Sequence, residues 1–180
     1  HVEAAVAQID ALAAAAPIAL ITLAFQELSA ATNGFAEDRR IGQGGFGVVY
    51  NGEPLRSLLR RHGGRVAIQR LSVGGRQGTP AFQTELLFLS SCRHPNLMSL
   101  LGYCPDGGPG KTCLVYPLAR NGNLEDWLII TDGGQQRLAK LGCFNAAPLP
   151  PGARVRLMYE VLCALIYLHS VIGSKAHMLH

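Results

Sequence analysis

Ile41-Gly42-Gln43-Gly44-Gly45-Phe46-Gly47-Val48-Val49-Tyr50 decides how the rest of this chain is read. Glycines let a backbone approach a ligand closely and adopt dihedrals that other residues avoid. Successive N–H groups can then point at phosphate oxygens. The G-x-G-x-x-G spacing alone is shared with dinucleotide-binding folds, which continue into a helix and place an acid about twenty residues on. Neither feature follows here. Val48-Val49-Tyr50 is a β-forming run, and Arg61 to Ile68 contain no acid. The stretch is therefore expected to be strand, glycine turn, strand, a flap over a phosphate-bearing ligand. A dinucleotide-binding oxidoreductase is disfavoured.

Outward from the flap, residues 41–72 read as three strands, with a loop from Gly52 to Arg65. Leu55, Leu58 and Leu59 have helical spacing within that loop and suggest a short helical turn. Thr79–Ser91 reads as a helix with Phe82, Leu86 and Leu89 on one face and Glu85 beside it. Leu97–Cys104 and Cys113–Leu118 read as strands joined by the Pro/Gly-rich turn Pro105–Gly110. Asn123–Ile129 reads as a short helix capped by Asn121 or Asn123, with Glu125 and Asp126 in its first turn. Thr131–Gly152, rich in proline and glycine, is expected to be one long loop. Arg154–His169 is expected to be a helix, apolar around most of its circumference, of a kind that normally lies buried on several sides. The alanine-rich start, closed by Pro17, reads as a helix or a poorly ordered flank.

Composition narrows the function classes. The chain has 180 residues, 48% of them hydrophobic, enough for a real core. Its net charge of +4 is mild. The densest basic stretch, Arg56, Arg60, Arg61, Arg65 and Arg70, has no interleaved aromatics, so a solvated face is expected and no nucleic-acid surface. The five cysteines are irregularly spaced, and His1, His62, His94, His169 and His177 show no metal-ligand spacing with them or with one another. Reduced thiols and no metal site are expected. Ala11–Phe25 falls short of the ~20 apolar residues needed to span a bilayer, and it lacks the basic start and cleavage site of a signal peptide. No membrane span is expected within the chain, although a membrane segment upstream of His1 stays open.

Several further segments resemble the protein kinase domain of plant receptor-like and Pelle-type kinases. Phe25-Gln26-Glu27-Leu28 with Ala31-Thr32-Asn33-Gly34-Phe35 resembles that family's lead-in, and Val66-Ala67-Ile68 its third strand. Phe82-Gln83-Thr84-Glu85-Leu86 resembles its C helix. Arg93-His94-Pro95-Asn96-Leu97 and Leu100-Leu101-Gly102-Tyr103-Cys104 resemble the next loop and strand. Leu114-Val115-Tyr116 and Asn121-Gly122-Asn123-Leu124 resemble the hinge and the helix after it, and Tyr167-Leu168-His169 the end of the E helix. These pieces come in the family's order, from about residue 25 to the last residue.

The resemblance implies an α+β fold: a kinase-like small lobe, an antiparallel sheet plus C helix, with the hinge and first helices of an incomplete large lobe. It divides the chain into a flank (1–24), a small lobe with its lead-in (25–118), and a hinge exit with a partial large lobe (119–180). It implies ATP as ligand, held by the glycine turn (Gly42, Gly44, Gly45, Gly47) with Phe46 at its tip. Ile41 and Val49 would cover the purine and Ala67 would leave room beside it; for Val49 and Ala67, plain strand core is the competing explanation. Tyr116 would guard the back of the pocket. The Pro117 carbonyl, which proline retains, would accept from the adenine amine, and Ala119 would supply an N–H. Asp126 resembles a residue near the ribose, though a helix-start acid explains it equally. Glu85 would pair with a third-strand lysine, or be an ordinary surface glutamate.

The sharpest departure is at position 69, where that lysine is expected and Gln69 stands. Glutamine keeps N–H donors but no charge. Arg70 is a poor substitute, because adjacent strand residues face opposite ways. Ala176-His177-Met178-Leu179-His180 resembles the approach to the His-Arg-Asp catalytic loop. On that reading the catalytic aspartate and the metal ligands lie beyond His180, no catalytic residue is present, and Mg2+ is expected only in a full-length kinase. The fragment is then expected to be inactive and sticky, because the last helix lacks packing partners. The expected function is the ATP-binding part of a cytoplasmic serine/threonine kinase that phosphorylates protein hydroxyls. A pseudokinase or nucleotide-binding scaffold is the alternative.

Overall fold

The computed structural model describes residues 20–45, 47–71, 86, 90, 92–105 and 110–176. The chain divides into two units, residues 1–93 with 99–118, and residues 94–98 with 119–180. The first is built on one six-stranded sheet of order β1-β5-β6-β4-β3-β2. Its strands are β1 (Ile21–Thr22), β2 (Arg40–Gly44), β3 (Gly47–Gly52), β4 (Val66–Leu71), β5 (Gly102–Cys104) and β6 (Cys113–Pro117). β2 and β3 form the expected hairpin, and β3, β4 and β6 continue it as antiparallel neighbours.

The two sheet faces bury different residues, as strand alternation requires. Val66 and Ile68 belong to a core with Leu23, Leu28, Leu55, Leu58, Cys104, Cys113 and Val115. Ala67 and Leu71 pack on the other, with Leu86, Leu100, Tyr103, Leu114 and Tyr116. Each leucine-class side chain fully buried contributes ~1.5–3 kcal/mol. Leu55 and Leu58 enter the first core from the loop after β3, where Arg56–Leu58 forms the expected short helical turn.

The lead-in is more ordered than the sequence suggested. Residues expected to lie in a helix or loose flank instead add β1 to the sheet edge, parallel to β5. The Leu23 N–H donates to the Tyr103 carbonyl at 2.8 Å, and the Leu23 side chain is buried. Gly102 makes this possible. A Cβ there would lie 2.5 Å from the Ile21 carbonyl oxygen. Helix α1 (Phe25–Ala31) follows, burying Leu28. Phe35 then adopts a left-handed φ of 59°, an uncommon state for a bulky residue. Packing offsets that strain: its ring lies 5.3 Å from that of Phe25 and 5.3 Å from that of Tyr50.

Other expectations are corrected. The strand expected over Leu97–Cys104 is confined to Gly102–Cys104, and the one over Cys113–Leu118 ends at Pro117. Most of the Thr79–Ser91 helix, with Glu85, lies outside the described residues, but Leu86 and Ser90 are helical. Phe46, the alanine-rich start and His177–His180 also lie outside them.

The second unit is helical: α2 (Leu124–Leu128), α3 (Asp132–Lys140) and α4 (Pro151–Ala176). Asn123 caps α2, its side chain accepting from the Glu125 N–H at 3.3 Å. The long loop expected over residues 131–152 instead contains α3. The Thr131 hydroxyl accepts from the Gly134 N–H at 3.0 Å and starts that helix despite two adjacent glycines. Helix α4 begins three residues earlier than expected, with Pro151 in its first turn, where a missing N–H costs nothing. Val155, Met158, Tyr159, Leu162 and Ile166 on it are exposed, in keeping with a last helix that lacks packing partners. His94 stacks on Tyr167 of α4 at 5.2 Å. No helix among the described residues is long and apolar enough to cross a membrane.

Candidate functional site

The register of the sheet gathers four of the expected site residues of the first unit on one face. Val49 on β3 stands opposite Gln69 on β4, which stands opposite Leu114 on β6. One step along, Asn51 stands opposite Ala67, which stands opposite Tyr116. Directly opposed residues of antiparallel strands share a face. Val49, Ala67, Gln69 and Tyr116 therefore line it together. Tyr116 is buried, and Val49, Ala67 and Gln69 are half-buried.

The glycines of the turn differ in what the fold asks of them. Gly47 has φ +144°, and a Cβ there would lie 2.1 Å from the Arg70 carbonyl oxygen. The fold itself requires it. Gly42, Gly44 and Gly45 have no such need: a Cβ at any of them would meet nothing within 4 Å, and none has a positive φ. Glycine within a strand costs roughly 0.5–1 kcal/mol relative to alanine, yet Gly42 and Gly44 sit in edge strand β2. Ile41 is at the bulge between Arg40 and Gly42, half-buried.

Arg70 is turned away from Gln69. Its guanidinium lies over the rings of Phe35 and Phe25, at 4.8 Å and 5.9 Å. Its Nε donates to the Gly110 carbonyl at 2.5 Å. The cation next to Gln69 thus serves the opposite side of the sheet. Sequence reasoning anticipated the facing and missed the aromatic seat.

At the end of β6, Pro117 pairs in register with Val66, and the Leu118 N–H is taken by the Arg65 carbonyl at 3.1 Å. Ala119, in the second unit, is exposed, and its carbonyl accepts from the Gly122 N–H. Asp126, also in the second unit, is 3% exposed, and its carboxylate is engaged by the Arg137 guanidinium. That bond raises the Arg137 pKa further above its ordinary value. Within its own unit Asp126 joins α2 to α3.

One residue of the face escaped the sequence reading. Asn51 is buried, and its Oδ1 has no hydrogen-bond partner among the described residues. It stands two residues beyond Val49, the spacing that returns a strand to the same face.

Comparison with known proteins matches residues 35–175 to a family described as protein tyrosine and serine/threonine kinase. The chain is 39% identical over 155 residues to U-box domain-containing protein 33 of Arabidopsis thaliana, covering 86% of this chain and 16% of the relative. It is 38% identical over 145 residues to the probable serine/threonine-protein kinase PBL24 of Arabidopsis thaliana, covering 81% and 33%. It is 46% identical over 111 residues to the serine/threonine-protein kinase PBS1 of the same plant, covering 62% and 23%. The chain therefore spans a third or less of the length of these relatives. Among solved structures, the pseudokinase DRIK1 (drought responsive inactive kinase 1) bound to ENMD-2076 superposes with a TM-score of 0.65 at 24% identity, covering 87% of this chain and 54% of that one. An apo pseudokinase gives a TM-score of 0.65 at 23% identity, covering 86% and 50%. These two likenesses are of fold.

Proposed function

This chain belongs to the protein kinase family, and from that premise we propose that it supplies the ATP-binding part of a cytoplasmic serine/threonine kinase. The carrying observation is the glycine turn, whose Gly42, Gly44 and Gly45 meet no need of the fold yet adjoin the face lined by Val49, Ala67, Gln69 and Tyr116. Open glycines leave backbone N–H groups reachable by phosphate oxygens. Val49 and Ala67 offer aliphatic surface to a purine ring. The Pro117 carbonyl supplies an acceptor for its edge.

Kinases position a phosphoryl group and neutralise developing charge more than they do covalent chemistry. In this chain Gln69 orients without neutralising, Glu85 at the C-helix pairing position would lose the lysine it meets in the family, and Mg2+ would enter only with the ligands of a whole kinase. Transfer of the ATP γ-phosphoryl to protein hydroxyls is proposed for the whole protein and not for these residues alone.

The position of Arg70 favours a second reading, a nucleotide-binding pseudokinase or scaffold. With its guanidinium seated on Phe25 and Phe35, it leaves no cation from β4 on the Gln69 side. Calorimetric titration with MgATP tests both readings. The native chain is expected to bind, and Gln69→Lys to bind about tenfold more tightly, the gain of a charged over a neutral hydrogen bond. Binding by neither chain overturns the nucleotide site. Equal binding by both removes Gln69 as the weak point and favours an enzyme adapted to glutamine.

A further inference from the structure

We propose that Asn51 reads the base: its side-chain Oδ1 accepts a hydrogen bond from the exocyclic amino group of a bound adenine. The inference rests on the nucleotide reading above and adds to it a residue that selects the ligand.

Asn51 is 6% exposed, and its Oδ1 is the single buried side-chain nitrogen or oxygen without a hydrogen-bond partner among the described residues. Buried polar atoms are almost always partnered, and an orphan calls for a water, an ion or a ligand. Placement on the sheet says which. Asn51 stands opposite Ala67, which stands opposite Tyr116, and it shares its face with Val49 two residues earlier. The orphan oxygen thus belongs to the face whose aliphatic side chains would cover a flat ring. An uncharged acceptor beside such a surface suits a neutral donor, and adenine presents an amino group. The strand explains why the amide is there to be used. In β3 the neighbouring Tyr50 faces Phe35 on the opposite side, so alternation commits Asn51 to the ligand side.

The test compares adenosine with purine riboside, which lacks the 6-amino group, on the native chain and on Asn51→Leu. The native chain is expected to prefer adenosine, and the variant to lose roughly fivefold of that preference, the worth of one neutral hydrogen bond. An unchanged preference in Asn51→Leu overturns the proposal and leaves the nucleotide site standing. Should that variant not fold, the side-chain amide resonances of Asn51 in the native chain decide. They are expected to move with adenosine and to stay put with purine riboside; equal movement with both overturns the proposal. A native chain that binds neither nucleoside removes the nucleotide reading itself, and the role of Asn51 with it.

Discussion

Arg70 holds its guanidinium carbon 4.8 Å from the centre of the Phe35 ring, on the opposite side of β4 from Gln69. The contact ties the strand that carries Gln69 to the lead-in, since Phe25 flanks the same guanidinium. Cation–π contacts contribute ~0.5–2 kcal/mol each, and Arg70 also donates to the Gly110 carbonyl. Arg70→Leu is expected to lower stability by about 1–3 kcal/mol in urea unfolding. Nucleotide affinity should stay within about twofold, because the side chain serves the other face.

Gly102→Ala tests the sixth strand. The new Cβ would lie 2.5 Å from the Ile21 carbonyl oxygen and 2.9 Å from the Leu23 side chain. Backbone cannot yield cheaply there, so β1 is expected to detach. Hydrogen exchange reads this at the Leu23 N–H, which donates to Tyr103 in the native chain. Its protection should fall to that of an exposed amide, while amides of the β3–β4 ladder keep theirs.

The Asp126–Arg137 pair has unequal halves. Asp126 is 3% exposed at its side chain, and Arg137 is 50% exposed. Removing the arginine strands a buried carboxylate, at a cost of about 3–5 kcal/mol. Removing the acid leaves an arginine that water can reach. Arg137→Ala is therefore expected to destabilise α3 more than Asp126→Asn, as read by helical circular dichroism on heating. The reverse order would mean that the carboxylate finds water once unpaired.

Acid sensitivity has a source in Glu53. A hydrogen bond from Arg39, with Arg65 adding its charge, holds this carboxyl below its ordinary value of 4.5. The folded pKa lies under the unfolded one, so the stabilisation is full above the ordinary value. It is lost as pH falls through the lowered one. The group is half exposed, so the contribution stays within about 1 kcal/mol. Glu53→Gln should flatten this part of the urea-midpoint curve between about pH 5 and pH 3 and leave its neutral-pH slope unchanged.

What was legible in the sequence follows from how locally each feature is determined. The β2–β3 hairpin could be read because its glycines and β-branched residues are adjacent, and alternation then turned Arg70 away from Gln69. β1 could not be read, because its pairing depends on a missing Cβ at Gly102, eighty residues downstream. α3 was masked by Gly133 and Gly134, which disfavour a helix locally. The Thr131 cap and the Asp126–Arg137 link favour it nevertheless. At the site, Val49, Ala67, Gln69 and Tyr116 came from motif resemblance, and the register shows that four strand positions share a face. Asn51 matches no motif residue. Counting two residues on from Val49 would have found it, although its unpartnered oxygen shows only in three dimensions.

The most direct test of nucleotide binding under the glycine hairpin is a titration of the isotopically labelled chain with ATP, followed by its backbone amide resonances. The amides of Gly42, Gly44, Gly47, Val49 and Ala67 are expected to shift together and saturate with one affinity, while those of α1 stay still. Shifts confined to residues off this face, or none at saturating ATP, would contradict it.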